Sequence, residues 1–124
     1  MPLHSLHPAR PHLSCPACHS QKLRTQINMQ VHIVIALLAI ALGIVLRISS
    51  VEFAVIFLAI ASVLLVEMLN TVLELCVDLA SPEYHPLAKI AKDVAAGAVL
   101  VSAIFAVIIA FFIFGPHLWA LVVK

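Results

Sequence analysis

At 124 residues the chain is enough for one small domain, yet 64% of it is hydrophobic and only 10% is charged, against about 25% charged in an average soluble domain. A soluble core of this size cannot hide so much apolar surface, and the apolar residues fall in long blocks, so the chain belongs to the membrane class. The formal net charge of +1 gives no electrostatic footprint for nucleic acid.

Residues 1–20 contain Pro2, Pro8, Pro11 and Pro16 and four of the seven histidines. Proline at this density predicts a disordered, extended leader. It is not expected to be a signal peptide, because no apolar stretch follows a basic start. Cys15-Pro-Ala-Cys18-His19, with His12 upstream, is not a disulfide framework. The run formally matches a haem attachment motif, and His12, Cys15, Cys18 and His19 are acceptable zinc ligand types. One tight cluster is weak support for either, and an unstructured leader of the kind an upstream start codon adds is the simpler expectation. Cys76, within an apolar helix, is expected to be a small buried hydrophobe.

Residues 21–30 form a surface segment, part of a short helix predicted over 21–32. The first span runs from about Val31 to Ile48, and roughly 18 residues can cross a bilayer. Arg47–Glu52 is predicted as a tight turn, and the second helix as running from near Phe53 to about Leu79. Its uninterrupted apolar part, Phe53–Val66, gives about 21 Å at 1.5 Å per residue, short of the roughly 30 Å hydrocarbon core. Glu67 therefore falls near the edge of the bilayer. Ser81-Pro82 ends this helix. A third helix starts around Leu87, with an apolar run Val94–Phe114 and an expected stop at Gly115-Pro116; Trp119 suits an interfacial anchor. The expected fold is thus an all-α membrane protein with three transmembrane helices, a membrane domain over residues 31–119 and a tail over 120–124. Arg10, Lys22, Arg24, Lys89 and Lys92 lie on one side of the spans and Arg47 and Lys124 on the other, so the positive-inside bias puts the N-terminus and the 80–92 loop in the cytoplasm.

At about 100° per residue, Glu67, Asn70, Thr71, Glu74 and Asp78 share one helical face. An ionisable group inside a membrane helix costs roughly 2.5–3.5 kcal/mol on insertion scales and is a functional hypothesis by default. Such a face suits a hard divalent cation, and can place one carboxylate as a general base and another as a metal ligand. Lys92 is a point charge suited to phosphate, and Asp93 can orient it or take a ribose or metal contact. A base at the bilayer edge reaches the hydroxyl of a lipid whose tails stay in the membrane. Phosphoryl transfer needs mainly positioning and neutralisation of phosphate charge. With only Gly43, Gly97 and Gly115, neither of the usual glycine-rich phosphate loops can be built, so a kinase here needs a non-standard nucleotide site.

The stretch Glu67-Met-Leu-Asn-Thr-Val-Leu-Glu74, then Asp78, Glu83-Tyr84-His85-Pro86 and Ala88-Lys-Ile-Ala-Lys-Asp-Val-Ala-Ala-Gly-Ala-Val-Leu100, resembles the small bacterial integral-membrane lipid kinases, the prokaryotic diacylglycerol kinases and undecaprenol kinases. The resemblance covers roughly residues 28–114. It implies a homotrimer in the bacterial inner membrane, with composite sites and an ATP-dependent, Mg²⁺-dependent transfer to a lipid alcohol. By resemblance, Glu67 falls on the general base, in contact with the lipid, and Glu74 on a metal-binding carboxylate. Asn70, Glu74, Asp78, Glu83, Tyr84, His85, Lys92 and Asp93 fall on positions in or near the nucleotide site, and Ala96 near the lipid path. Two features depart from the family. Gln26 stands where relatives carry a glutamate that shares the metal, and the Pro/His-rich leader replaces an amphipathic surface helix. The run Ala95-Ala96-Gly97-Ala98 resembles the undecaprenol kinase branch more.

Blander readings stand beside these. Glu67, Asn70 and Glu74 suit a polar seam that joins helices, Asp78 a helix-end charge, Lys92 a snorkelling lysine, and Tyr84 and His85 a loop capping the second helix. His32 and His117 carry no assigned role. The rival for the whole chain is a catalytically weakened or inactive homologue acting as a structural or interaction membrane protein. An ion conductor fits less well, because the acids cluster at one end of the helix.

Overall fold

The structure, a computed structural model, describes residues 16–123, with side chains from Gln26 onward. Those residues form three helices, α1 (Pro16–Leu46), α2 (Ser50–Ala80) and α3 (Pro86–Val122). Each contains a stretch long and apolar enough to cross a membrane, Gln26–Leu46 in α1 and the whole of α2 and α3. The fold is all-α, with three helices of spanning length, as a three-span membrane protein requires.

The helix expected over 21–32 is present, but α1 begins earlier than expected. It starts at Pro16, inside the 1–20 stretch, and runs without a break through residues 21–30 into the first span. Proline at a first helical position gives up no hydrogen bond, and residues 17–42 contain neither Gly nor Pro to interrupt the helix. Residues 1–15, with His12 and Cys15 of the Cys/His cluster, lie outside the described residues.

The link from α1 to α2 is shorter than expected, because both ends are capped. Arg47 takes a positive φ of 51°. Its N–H bonds to the Ile44 carbonyl (3.2 Å), and the Ile48 N–H reaches back to the Gly43 carbonyl (3.2 Å), the paired bonds of a Schellman ending. Helix α2 opens at Ser50, three residues before Phe53, behind a reciprocal cap. Ser49 Oγ accepts from the Glu52 N–H (3.3 Å), and Glu52 Oε2 accepts from the Ser49 N–H (2.7 Å) and hydroxyl (2.8 Å). The Ser-x-x-Glu signature lies within the segment expected to be a turn.

Helix α2 closes at Ala80, with the Ser81 N–H bonded to the Val77 carbonyl. Helix α3 opens with Pro86 in its first turn behind His85, whose Nδ1 accepts from the Leu87 N–H (3.2 Å). His85 thus caps the third helix, not the second. The expected stop at Gly115-Pro116 is not one, for α3 continues through Pro116 to Val122. Proline inside a membrane helix costs one backbone bond but does not end it where neighbouring groups satisfy the freed carbonyls. Pro116 leaves the Phe112 carbonyl without its backbone donor; one residue on, His117 Nδ1 lies 2.9 Å from the Ile113 carbonyl, and its Nε2 is 3.9 Å from Glu52 Oε2.

A buried cluster lies near the α1–α2 turn, with α3 against it. Ile48, Ile56 and Phe114 are buried there, with Leu42, Phe53 and Ile113 against them. Gly43 allows the close approach: a Cβ at this position would lie 3.0 Å from both Ile48 Cδ1 and Phe53 Cζ. Along α2 the buried stripe is Ile56, Ala59, Val63 and Glu67, at three- and four-residue spacing. Large apolar residues on the outer faces, such as Leu58, Phe105 and Phe111, are exposed in the single chain. Cys76 is exposed as well, against expectation. It stands nine residues beyond Glu67, about half a turn around the helix from the buried stripe.

Candidate functional site

The site begins where the apolar stripe of α2 turns polar. Glu67 follows Val63 at the next four-residue step and is only 2% exposed. A carboxylate in such a place needs a partner. Its Oε2 lies 4.0 Å from Nε2 of His32 on α1. One turn further along α2, Thr71 donates from its hydroxyl to the Glu67 carbonyl (3.1 Å), and Asn70 Nδ2 donates to Glu74 Oε1 (3.3 Å). That bond turns Asn70 Oδ1 into a buried acceptor with no partner. An unpaired buried acceptor costs about 1–3 kcal/mol.

Two cavities flank this polar segment. The first is an apolar groove of about 180 Å³ between the three helices, with Ala36 and Ala39 on α1, Ala59 and Val63 on α2, and Ala103, Ala106 and Ala110 on α3. His32 is the polar residue at its edge. The second is a cleft of about 340 Å³ between the end of α2 and the start of α3. Asp78, Glu83, Tyr84, His85, Lys89, Lys92 and Asp93 line it. Within it Lys92 Nζ is ion-paired with Asp78 Oδ1 across the helix hairpin. Tyr84 is 82% exposed.

The cleft thus brings together six of the residues singled out by sequence: Asp78, Glu83, Tyr84, His85, Lys92 and Asp93. Asn70 and Glu74 stand outside it, on α2 between the cleft and Glu67. Ala96 is exposed on α3, outside both cavities, and Gln26 is exposed on α1. The lysine expected to be oriented by its neighbour Asp93 is instead held by Asp78. His32 was passed over. Its partner lies on another helix, and the only local sign was a histidine at the border of an apolar run.

Among the described residues no three His, Cys, Asp or Glu side chains converge as a metal site. The chain offers two oxygen donors side by side, the Glu74 carboxylate and the orphaned Asn70 carbonyl. A hard cation that takes its remaining ligands from water and substrate phosphate fits that pair. Chemically, the arrangement is a buried base candidate at the end of an apolar groove, two oxygen donors a turn away, and a charged cleft beyond.

The sequence profile of the prokaryotic diacylglycerol kinases matches residues 19–114. The undecaprenol kinase of Bacillus subtilis is 44% identical over 95 residues, 77% of this chain and 77% of that protein. The diacylglycerol kinase of Synechocystis sp. is 42% identical over 105 residues, 84% of this chain and 60% of that protein. The diacylglycerol kinase of Escherichia coli (strain K12) is 36% identical over 75 residues, 60% of this chain and 62% of that protein. A family profile covering the three helices, together with these relatives, places the chain in the prokaryotic diacylglycerol kinase family.

Proposed function

We propose that this protein is a lipid kinase of the bacterial inner membrane that moves the γ-phosphate of ATP to the hydroxyl of a lipid alcohol, working as a homotrimer with its acidic segment at the cytoplasmic face. The observation that carries the reading is the position of Glu67: a buried carboxylate where an apolar groove between helices meets a line of polar groups leading to a charged cleft. A lipid alcohol keeps its chain among the helices and brings only its hydroxyl to the carboxylate.

In this reading the cleft takes the nucleotide. Asp78 and Glu67 are eleven residues apart, about 16 Å along α2, so a triphosphate running from the cleft past Glu74 and Asn70 brings its terminal phosphate toward Glu67. Lys92 leaves Asp78 for the phosphates, while Glu83, Tyr84, His85 and Asp93 contact the rest of the nucleotide. Glu74 and Asn70 would hold Mg²⁺, with Gln26 as a weaker third donor, and the ion would supply neutralisation of phosphate charge. Glu67 removes the hydroxyl proton as the oxygen attacks. Ala96, exposed on the protomer, belongs to a face that a neighbouring protomer or the lipid covers.

The acceptor we favour is undecaprenol, on the relative of that name that spans most of this chain and on the Ala95–Ala98 run. The test is transfer of label from γ-labelled ATP to undecaprenol or to diacylglycerol by the purified protein in bilayers. Faster labelling of undecaprenol is expected. In the same assay Gln26→Glu is expected to raise activity at low Mg²⁺, since a carboxylate is a stronger ligand than an amide. Labelling of neither lipid, by wild type or by Gln26→Glu, would identify the chain as an inactive relative with a structural role.

A further inference from the structure

We propose that His32 is a second catalytic residue at the lipid end of the site, donating a hydrogen bond from Nε2 to the same hydroxyl oxygen whose proton Glu67 takes. The proposal rests on Glu67 being the base and adds a group that sequence reasoning left without a role.

Two observations carry it. The first is a distance: His32 Nε2 and Glu67 Oε2 are 4.0 Å apart. That is too far for a hydrogen bond, which needs about 2.7–3.2 Å. One oxygen bonded to both, about 2.7 Å from the carboxylate and 2.9 Å from the ring nitrogen, makes an angle of about 90° between them. A hydroxyl oxygen accommodates that angle. The second is location. His32 stands at the edge of the apolar groove walled by Ala36, Ala39, Ala59 and Ala106, and Glu67 is one turn beyond Val63 of the same groove. A hydrocarbon chain lying in the groove ends with its hydroxyl between the two side chains. Alanines on all three helices leave room for a single slender chain.

The electron count is simple. The alcohol oxygen carries a carbon, a proton and two lone pairs. The proton passes to the Glu67 carboxylate, and one lone pair accepts from His32 Nε2–H, which keeps its hydrogen throughout. The other lone pair forms the new oxygen–phosphorus bond, while the bond from the γ-phosphorus to its bridging oxygen breaks and its electron pair leaves with ADP. His32 thus fixes rotation about the carbon–oxygen bond and aims the attacking lone pair, a positioning effect exerted by direct contact.

The test compares His32→Leu, His32→Gln, His32→Asn and Glu67→Gln in the full chain, reconstituted with undecaprenol and assayed against both ATP and lipid concentration. His32→Leu is expected to lower kcat on the order of 10- to 100-fold, as for loss of one hydrogen bond to a charge-developing oxygen, with the KM for ATP unchanged. His32→Gln, whose amide N–H reaches the same point, is expected to restore most of kcat, and the shorter His32→Asn is not. If His32→Leu fails to assemble, the Gln and Asn variants decide: equal activities in the two overturn the proposal. Wild-type kcat in His32→Leu with an inactive Glu67→Gln overturns the role of His32 and leaves the base in place. An active Glu67→Gln overturns both.

Discussion

Glu67→Gln is expected to lower lipid phosphorylation by about 10²- to 10⁴-fold, the usual weight of a general base, while the chain folds and assembles as before. The amide matches the carboxylate in shape but cannot take a proton. Glu67 is 2% exposed, in the same stripe as Ile56, Ala59 and Val63. Removing a charge from that position relieves a desolvation cost, so the thermal midpoint in detergent should hold or rise. Label transfer from ATP to undecaprenol, read beside size-exclusion chromatography, separates the possibilities. Normal transfer removes the base assignment. Loss of transfer together with loss of assembly would make Glu67 a polar tie between helices.

Lys92→Ala is expected to cut kcat/KM for ATP by about 10²-fold or more, with the KM for lipid little changed. Lys92 is the cation that the cleft holds against Asp78, and phosphate charge in a kinase must be met by a fixed positive group. Both partners are partly exposed, so the pair itself adds only about 0–1 kcal/mol to stability, and its loss leaves the fold intact. Asp78→Asn frees Lys92 without removing it, and the drop should stay below about tenfold. ATP titrations at saturating lipid decide the matter. Unchanged ATP dependence in Lys92→Ala would place the phosphates somewhere else.

The three spans were legible because nothing but a membrane helix absorbs apolar runs such as Ile33–Leu46 or Val94–Phe114. Ser81-Pro82 was a sound stop for α2 because the residue before a proline avoids helical geometry. Pro116 misled for a related reason. The rule that proline ends a helix is weaker in long apolar helices such as α3, where an internal proline is tolerated. The Ser49–Glu52 box was visible but lost among turn residues, because Arg47 and two serines outweighed the spacing that marks a cap.

The candidate site was legible to the extent that its residues lie on one helix. Glu67, Asn70, Glu74 and Asp78 are related by helical periodicity alone. Contacts between helices were not legible. Asp78 holds Lys92, fourteen residues on, because the α2–α3 hairpin folds them together. Glu67 meets His32, thirty-five residues back in sequence, because α1 returns along α2. Neither pairing leaves a trace in local spacing.

The close fit of Gly43 against Ile48 and Phe53 makes that end of the α1–α2 pair a fulcrum. Eleven residues separate Gly43 from His32, a lever arm of about 16 Å. Rocking α1 by about 5° about the fulcrum sweeps His32 through about 1.4 Å, enough to open or shut the gap to Glu67. In the proposed reaction, the spacing of His32 and Glu67 therefore answers to the fit at Gly43, the one position in α1 that has no side chain.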